Sequence, residues 1–474
     1  MFFLIRKVIA LMFISLLVSM SLCSLSYANG QSTNTLSFLK AIRVAQNNDP
    51  WLSGNIEKQK SVHSMSQVSY SLPDPKISLG IGNLATDSLE FDQEPMSQIK
   101  VGITQMFPRG DSLNIKSAQL KKESEQYPLQ RQDRKAKVAV TVGTLWLDAF
   151  EIEQTIELVK QNRKLFEQLI DLAESNYSSA KGNARQQDVV NAQIELTRLD
   201  DKLVQLEQQK QRLHGQRLQW LSDYSSSESG KANGSANVEK GMFEKLSLSA
   251  EMPELDLIEK QTVYGNYLSE QQLANYFVKH PAVLAIDKKL QASKTGIALA
   301  KQKYQPEWGV TASYAYRDDD PMGNDRSDLL SIGVTFDLPL FTENRQDHEV
   351  KSAVSQVEVI RTEKTLLLRK MMSSFASNRG RLITLEQRQS LYSNKLIPQV
   401  NDQIDTSLMA YTHDGGDFAD VIRARMSLLN TQVDQLTMDV EEQKLALELN
   451  YLFMNTNTYH ENNQNQFGAS NDYK

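Results

Sequence analysis

The side chains that could do chemistry are scattered along the sequence. The six histidines never occur as a pair at the spacing of metal ligands, so we predict no metal site and single histidines at the surface or at hairpin tips. No Ser, His and Asp set has the local context of a nucleophile elbow. Residues 80–85 (Gly-Ile-Gly-Asn-Leu-Ala) match a dinucleotide-binding fingerprint, but residues 86–95 do not continue as the required helix. The sequence therefore predicts no enzyme activity and no cofactor.

Composition narrows the function classes further. The 474 residues include 52 Lys and Arg against 58 Asp and Glu, a net charge of −6, which gives no general basic field for nucleic acid. After residue 28 no apolar run approaches the roughly 20 residues of a membrane-spanning helix, so a polytopic helical transporter is excluded. The single cysteine, Cys23, excludes a disulfide framework and a cysteine zinc site.

Residues 1–28 have the pattern of a secretory signal peptide. Arg6 and Lys7 precede an apolar run over residues 8–22, and small residues lead to a predicted cleavage site after Ala28. Two alternatives stay open. One is a membrane anchor, for which the run is short, and the other is acylation of Cys23, for which Leu22 is larger than the small residue that a lipoprotein signal requires.

The rest of the chain is an internal duplication. Five residues recur without a gap at a displacement of 231. They are Pro50, Pro75, Gly102, Thr104 and Pro108, with partners Pro281, Pro306, Gly333, Thr335 and Pro339. The copies occupy residues 35–220 and 269–453, and a connector over 221–268 joins them. Residues 455–474 form a polar tail that we expect to be disordered.

Each copy contains two short segments of alternating apolar and small or polar residues, at about 76–83 and 98–107, and at 307–317 and 329–338. Such alternation fits a half-buried sheet of a soluble domain, but with aromatic residues near the strand ends it also fits a transmembrane β-barrel. The predicted lipid-facing residues are Ile77, Leu79, Ile99, Val101, Trp308, Val310, Tyr314, Ile332, Val334 and Phe336. Because one chain has only four such strands and an open edge cannot face hydrocarbon, several chains would have to share one barrel.

The remaining parts of each copy have the four-and-three apolar spacing of coiled-coil helices. As one continuous helix, residues 111–177 would be about 100 Å long. A Tyr-x-x-x-x-Gly step followed by Asp-Val-x-x-Ala recurs in both copies and predicts the reversal of a helical hairpin. Gly182 and Gly416 would each end one helix, and Asp188 and Asp420 would cap the returning one.

These features together resemble the TolC-like outer membrane efflux proteins over about residues 35–453. The more specific signals are Asp-Pro at 74–75, Phe-Pro-Arg-Gly at 107–110 and the two Asp-Val-x-x-Ala turns. The second copy has Gln-Pro at 305–306, Leu-Pro at 338–339 and Asn-Arg at 344–345. The resemblance implies a mainly α chain with β structure, in which duplicated coiled-coil hairpins accompany four transmembrane strands. It also implies a homotrimer whose twelve strands close one outer membrane barrel above a periplasmic helical tunnel.

The function implied by this resemblance is a passive exit duct of a tripartite efflux system. A periplasmic membrane-fusion adaptor and an inner-membrane pump, of the resistance-nodulation-division (RND) type, would dock at the hairpin tips, and the strands would contact outer membrane lipid. The sequence leans toward the heavy-metal, CzcC/CusC-like branch. By position, the periplasmic entrance residues are Asp188, Asp420 and Tyr411, with Asp414 and Asp417 in the same turn and Arg423 where relatives often have an acid.

A periplasmic coiled-coil adaptor or scaffold protein is the alternative, because it would also combine an export signal, long heptads and some β structure. An adaptor requires neither a duplicated strand pair nor a lipid-ready face on all four strands.

Overall fold

The computed structural model describes residues 35–178, 186–222, 248–265, 268–414 and 416–455. The predicted signal peptide with Cys23, the turn residue Gly182 and most of the predicted connector lie outside these ranges, as does the tail from residue 456 onward.

The described chain is mainly helical, and its helices form two series. The first series is α1 (Phe38–Asn47), α2 (Pro50–Val68), α3 (Ser112–Ser124), α4 (Gln126–Ser178) and α5 (Gln186–Leu221). The second is α6 (Lys260–Tyr264), α7 (Glu270–Phe277), α8 (Pro281–Lys301), α9 (Gln346–Leu391), α10 (Ile397–Met409) and α11 (Phe418–Leu452). Two π-helical turns, Tyr392–Leu396 and Ala410–Asp414, flank α10. None of the helices in the described ranges combines the length and apolar character needed to cross a membrane.

One antiparallel sheet contains the strands β1 (Lys76–Gly82), β2 (Gln98–Phe107), β3 (Trp308–Tyr316) and β4 (Leu329–Phe336) in that order. The pairing of β2 with β3 joins the two copies, since the strands of each copy form a hairpin. The prediction of a mainly helical chain with a small antiparallel sheet is therefore confirmed.

The helices pack around apolar seams rather than around one compact core. In the seam between α4 and α5, Phe166 is fully buried and contacts a cluster that includes Leu199 and reaches Phe418 of α11. At the other end of α4, Trp146 is buried between the rings of Phe38 and Phe150 and donates its indole N–H to the carbonyl of Leu36 (2.9 Å). Burial of these apolar faces is what stabilises helices of this length.

Prolines interrupt the long rods. We predicted a continuous helix over residues 111–177, but the structure divides it at Glu125 into α3 and α4. Pro128 explains the break, because it has no N–H to donate and its ring would collide with the carbonyl of Ser124 in a continuous helix. In the second copy Pro398 follows the π-helical turn Tyr392–Leu396, whose wider spacing accommodates the same missing hydrogen bond.

Candidate functional site

One face of the sheet is apolar from edge to edge. Along one row of register partners, Leu79 faces Val101, which faces Tyr314, which faces Leu330. All ten residues predicted to face lipid lie on this face. They are exposed, from 77% for Ile77 to 38% for Ile99. At one end of the strands the ring of Trp308 lies 4.9 Å from the ring of Phe336. We call this surface the apolar face.

The opposite face of the sheet carries small side chains and is closely packed. A Cβ added at Gly102 would lie 2.7 Å from Ser78 Oγ and 3.5 Å from Ser313 Cβ, so only glycine fits there without a shift. The hydroxyls of Thr104 and Thr311 are hydrogen-bonded across the strands at 3.0 Å. Small and polar side chains predominate on this face, in contrast to the apolar face. We call it the small-residue face.

Arg109 joins the two copies where strands meet helices. Its guanidinium donates to the carbonyl oxygens of Lys303 (3.2 Å) and Gln305 (2.9 Å) and forms an ion pair with Asp337. Asp337 also accepts a hydrogen bond from the backbone N–H of Glu307 (2.7 Å). The chain turns away from Arg109 through Gly110, whose φ of +46° lies in the left-handed region that favours glycine. Arg109 therefore holds the end of β2 against the end of β4.

The second helical hairpin reverses at Gly416. The N–H of Gly416 donates to the carbonyl of Ala410 (2.9 Å), and an added Cβ would lie 2.9 Å from the carbonyl carbon of Ala410. Tyr411, in the π-helical turn that Asp414 ends, packs its ring 5.0 Å from that of Phe418. Residue 416 therefore has to be small, because its backbone approaches the backbone of Ala410 closely.

The returning helix α11 is capped by Asp417. Its carboxylate accepts a hydrogen bond from the N–H of Ala419 (3.1 Å), and its backbone is extended as expected for an N-cap residue. We expected Asp420 in this role, and that expectation is wrong. Asp420 lies inside the first turn, where it is exposed and pairs with Arg423. The helix begins three residues earlier than the motif suggested, because the close approach at Gly416 ends the preceding turn.

We expected Asp188 to cap the returning helix of the first hairpin, but it lies inside the first turn of α5, after Gln186, and is only 7% exposed. The next residue, Val189, packs against the cluster that also contains Phe418 and Tyr411. Val189 of α5 and Tyr411 of the second hairpin thus pack against one apolar cluster, whereas the first predicted turn with Gly182 lies outside the described residues. Within the described residues no group of three or more His, Cys, Asp or Glu could hold a metal ion.

Comparison with solved structures identifies the architecture. The structure of CusC, described in terms of folding and transmembrane channel formation, matches with a TM-score of 0.67 at 14% identity, over 91% of this chain and 96% of that chain. The outer-membrane channel OprN matches with a TM-score of 0.68 at 11% identity, over 88% and 89%. The outer membrane protein VceC from Vibrio cholerae matches with a TM-score of 0.66 at 12% identity, over 88% and 96%. This chain has the outer membrane channel fold.

The order of helices and strands predicted from the resemblance is thus that of the channel fold. No family model and no curated protein matches the chain. The three structural scores are nearly equal, so they do not separate one branch of channels from another. The neighbours are channel proteins, in agreement with the prediction that the chain is not an enzyme.

Sequence reasoning missed a buried histidine in this channel fold. We expected the histidines at the surface or at tips, but His280 has no exposed surface. Its Nδ1 accepts a hydrogen bond from the N–H of Ala282 (3.2 Å) and so caps α8, while Nε2 lies 3.0 Å from the carbonyl of Tyr451. Burial lowers the pKa of the His280 imidazole, against an opposing effect of Asp133. The internal duplication contains a signal for this capping role, because His280 precedes Pro281 just as Asp49 precedes Pro50 in the first copy.

Proposed function

We propose that this protein is the outer membrane exit duct of a tripartite efflux system. The observation that carries the proposal is the apolar face, which extends over all four strands and contains no charged residue. An exposed apolar surface of this extent requires lipid or a protein partner to cover it. The channel fold supports lipid as that cover.

The sheet also requires further copies of the chain. Its outer strands, β1 and β4, each present an unpaired edge, and unpaired backbone groups are too costly to leave in hydrocarbon. Pairing of β1 in one copy with β4 in the next removes every edge once the ring closes. We propose a homotrimer, in which three sheets make one twelve-stranded barrel.

The long helices α4, α5, α9 and α11 would form the periplasmic tunnel below the barrel. Their hairpin tips, around Val189 and Gly416, are the proposed contact surface for the periplasmic membrane-fusion adaptor and the inner-membrane pump. We propose an RND pump with heavy-metal cations as one cargo, on the basis of the sequence motifs alone. A periplasmic adaptor is less well supported, because it gives no reason for an uncharged face on four strands.

Membrane fractionation tests this proposal directly. Cells that express the full chain are separated into periplasm, inner membrane and outer membrane, and detergent extracts are run on gels with and without boiling. We expect the protein in the outer membrane fraction and a heat-sensitive trimer band. A soluble periplasmic protein without a trimer would contradict the proposal and favour the adaptor.

A further inference from the structure

The small-residue face of the sheet carries two charged residues, and both are lysines. Lys100 on β2 is two residues from Gly102, and Lys76 on β1 is two residues from Ser78, the register partner of Gly102, so both lysines lie on this face. The other residues on this face of the four described strands are Ser78, Gly80, Gly82, Gln98, Gly102, Thr104, Met106, Gly309, Thr311, Ser313, Ala315, Leu329, Ser331, Gly333 and Thr335. This surface therefore has positive charge and no negative charge of its own.

The two lysines lie at different heights along the strands. Lys76 is opposite Thr104 in the register, and Thr104 is four residues from Lys100 along β2. At about 3.4 Å per residue the two levels are roughly 13 Å apart. Lys76 lies nearer the helices, and Lys100 lies nearer the loops that connect the strands at the other end.

Neither ammonium group is neutralised by a residue in the part of the chain that the structure describes. Both lysines are exposed, and neither makes an ion pair or a side-chain hydrogen bond with any described residue. The register partners of Lys100 are Gly80 on one side and Ala315 on the other, so no long side chain stands beside it. The two charges are free to act on solutes that pass over this face.

We infer that Lys76 and Lys100 line the bore of the barrel and shift its ion preference toward anions, an inference that rests on the proposed duct function. It speaks against heavy-metal cations as a cargo, because rings of lysines repel cations. If the apolar face contacts lipid, the small-residue face encloses the bore. Three copies then place two rings of three lysines around it. Rings of basic side chains in a narrow pore raise the local concentration of anions and lower that of cations.

A purely structural role does not account for both residues. Lysines on edge strands protect an isolated sheet from wrong pairing, and Lys76 on β1 fits that role. Lys100 does not, because β2 is paired on both sides within the same chain. At position 100 a lysine places its ammonium group in the bore of the proposed barrel and protects no strand edge.

The test is a reversal-potential measurement on purified full-length trimer in planar bilayers with a KCl gradient. The double variant Lys76→Gln, Lys100→Gln removes the charge, and the double variant Lys76→Arg, Lys100→Arg retains it. We expect the chloride-to-potassium permeability ratio to fall about twofold or more in the glutamine variant and to stay unchanged in the arginine variant. The difference should shrink between 0.1 M and 1 M salt, as the Debye length falls from about 10 Å to about 3 Å.

The outcomes separate this inference from the proposed function. If wild type and the glutamine variant have the same permeability ratio, the lysines do not set the ion preference. The proposed duct function would be unaffected by that result. A trimer that inserts but conducts no ions at all would overturn both. If the double variant does not assemble, the single variant Lys100→Gln keeps the edge lysine and is measured instead. Removal of a lysine outside the sheet, Lys58→Gln on α2, controls for loss of charge alone.

Discussion

Asp49 and His280 occupy the same position in the two copies and use different chemistry to do the same task. Each is the N-cap residue of a helix that begins with proline, and each accepts a hydrogen bond from the backbone N–H two residues on. Asp49 is additionally held by Arg134, whose Nε lies 2.7 Å from its carboxylate. His280 has the carbonyl of Tyr451 as its second partner. The cap that His280 provides is lost when its imidazole takes up a proton at Nδ1.

This difference predicts an acid-sensitive stability. Burial lowers the pKa of His280 in the folded protein below its usual 6.5, while Asp133 opposes the shift and Lys137 adds to it. Below pH 6.5 the unfolded chain therefore takes up a proton before the folded chain does, so the free energy of unfolding falls as the pH drops through this window. Above pH 6.5 both states are neutral and the contribution is complete. The thermal unfolding temperature, measured from pH 8 to pH 5, should decrease more in wild type than in His280→Asn.

The asparagine variant is the matched control because it keeps a cap acceptor but does not titrate. The interpretation would be wrong if wild type and His280→Asn had parallel pH profiles.

The charged residues at the second hairpin tip give a second prediction. Asp417→Asn should keep the helix cap and remove one negative charge, whereas Asp417→Ala would also cost about 1 kcal/mol of capping. If acidic side chains line the entrance, Asp417→Asn and Asp420→Asn should lower the cation-to-anion permeability ratio in bilayers. Arg423→Gln should raise it, because Arg423 now neutralises Asp420. Shifts in the same direction for all three variants would argue against an acidic entrance.

Sequence reasoning located this tip to within one helical turn but did not resolve its residues. The Asp-Val-x-x-Ala motif begins in the first turn of α11, and the N–H of Gly416 donates to the carbonyl of Ala410 before that helix begins. The choice between Asp417 and Asp420 as cap depends on where the π-helical turn ends, which is decided by backbone contact with Ala410. His280 was missed for a similar reason, since its partner Tyr451 is far away in the sequence and no local pattern signals the contact.

At the scale of elements, periodicity predicted most of the fold. Period-two alternation indicated sheet structure, and the four-and-three spacing indicated long helices, because each pattern reports directly which face is apolar. The break before Pro128 and the π-helical turn before Pro398 were not predicted, although both prolines are visible in the sequence. Whether a proline breaks, kinks or widens a helix depends on which neighbouring groups can donate a hydrogen bond to the freed carbonyl.

The junction at Arg109 offers an element-scale prediction. Arg109→Ala removes two hydrogen bonds to carbonyl groups and an ion pair that together tie β2 to β4, so it should lower the stability of the folded chain by about 1–2 kcal/mol. The matched control is Arg361→Ala, which removes an exposed ion pair with Glu358 within α9 and should cost less than about 0.5 kcal/mol. The thermal unfolding temperature of both variants measures this difference. Equal losses of stability in the two variants would mean that the contacts of Arg109 contribute no more than an ordinary surface ion pair.

At the scale of the whole molecule, the single chain is incomplete. It exposes an apolar sheet face and two open strand edges. In the proposed barrel, closure by identical copies removes the open edges with one kind of contact, from β1 to β4, repeated by rotation, and lipid covers the apolar face. The proposed tunnel, bore and tips follow from that closure, because each is then a ring of three equivalent surfaces.

Disulfide trapping between β1 and β4 tests this closure most directly. The only cysteine of the sequence is Cys23, in the predicted signal peptide, so introduced cysteines are the only thiols of the mature chain. Within one sheet β1 and β4 are separated by two strands, roughly 14 Å, which is too far for a disulfide. A bond between them must therefore join two copies.

The measurement pairs Ser78→Cys with a cysteine at Ser331, Gly333 or Thr335 in turn, and follows mild oxidation in outer membranes on a denaturing, non-reducing gel. Single-cysteine variants are the controls. We predict that at least one pair gives a covalent trimer that reduction returns to monomer. Exclusively monomeric bands for all three pairs, with the protein present in the outer membrane, would contradict the shared barrel.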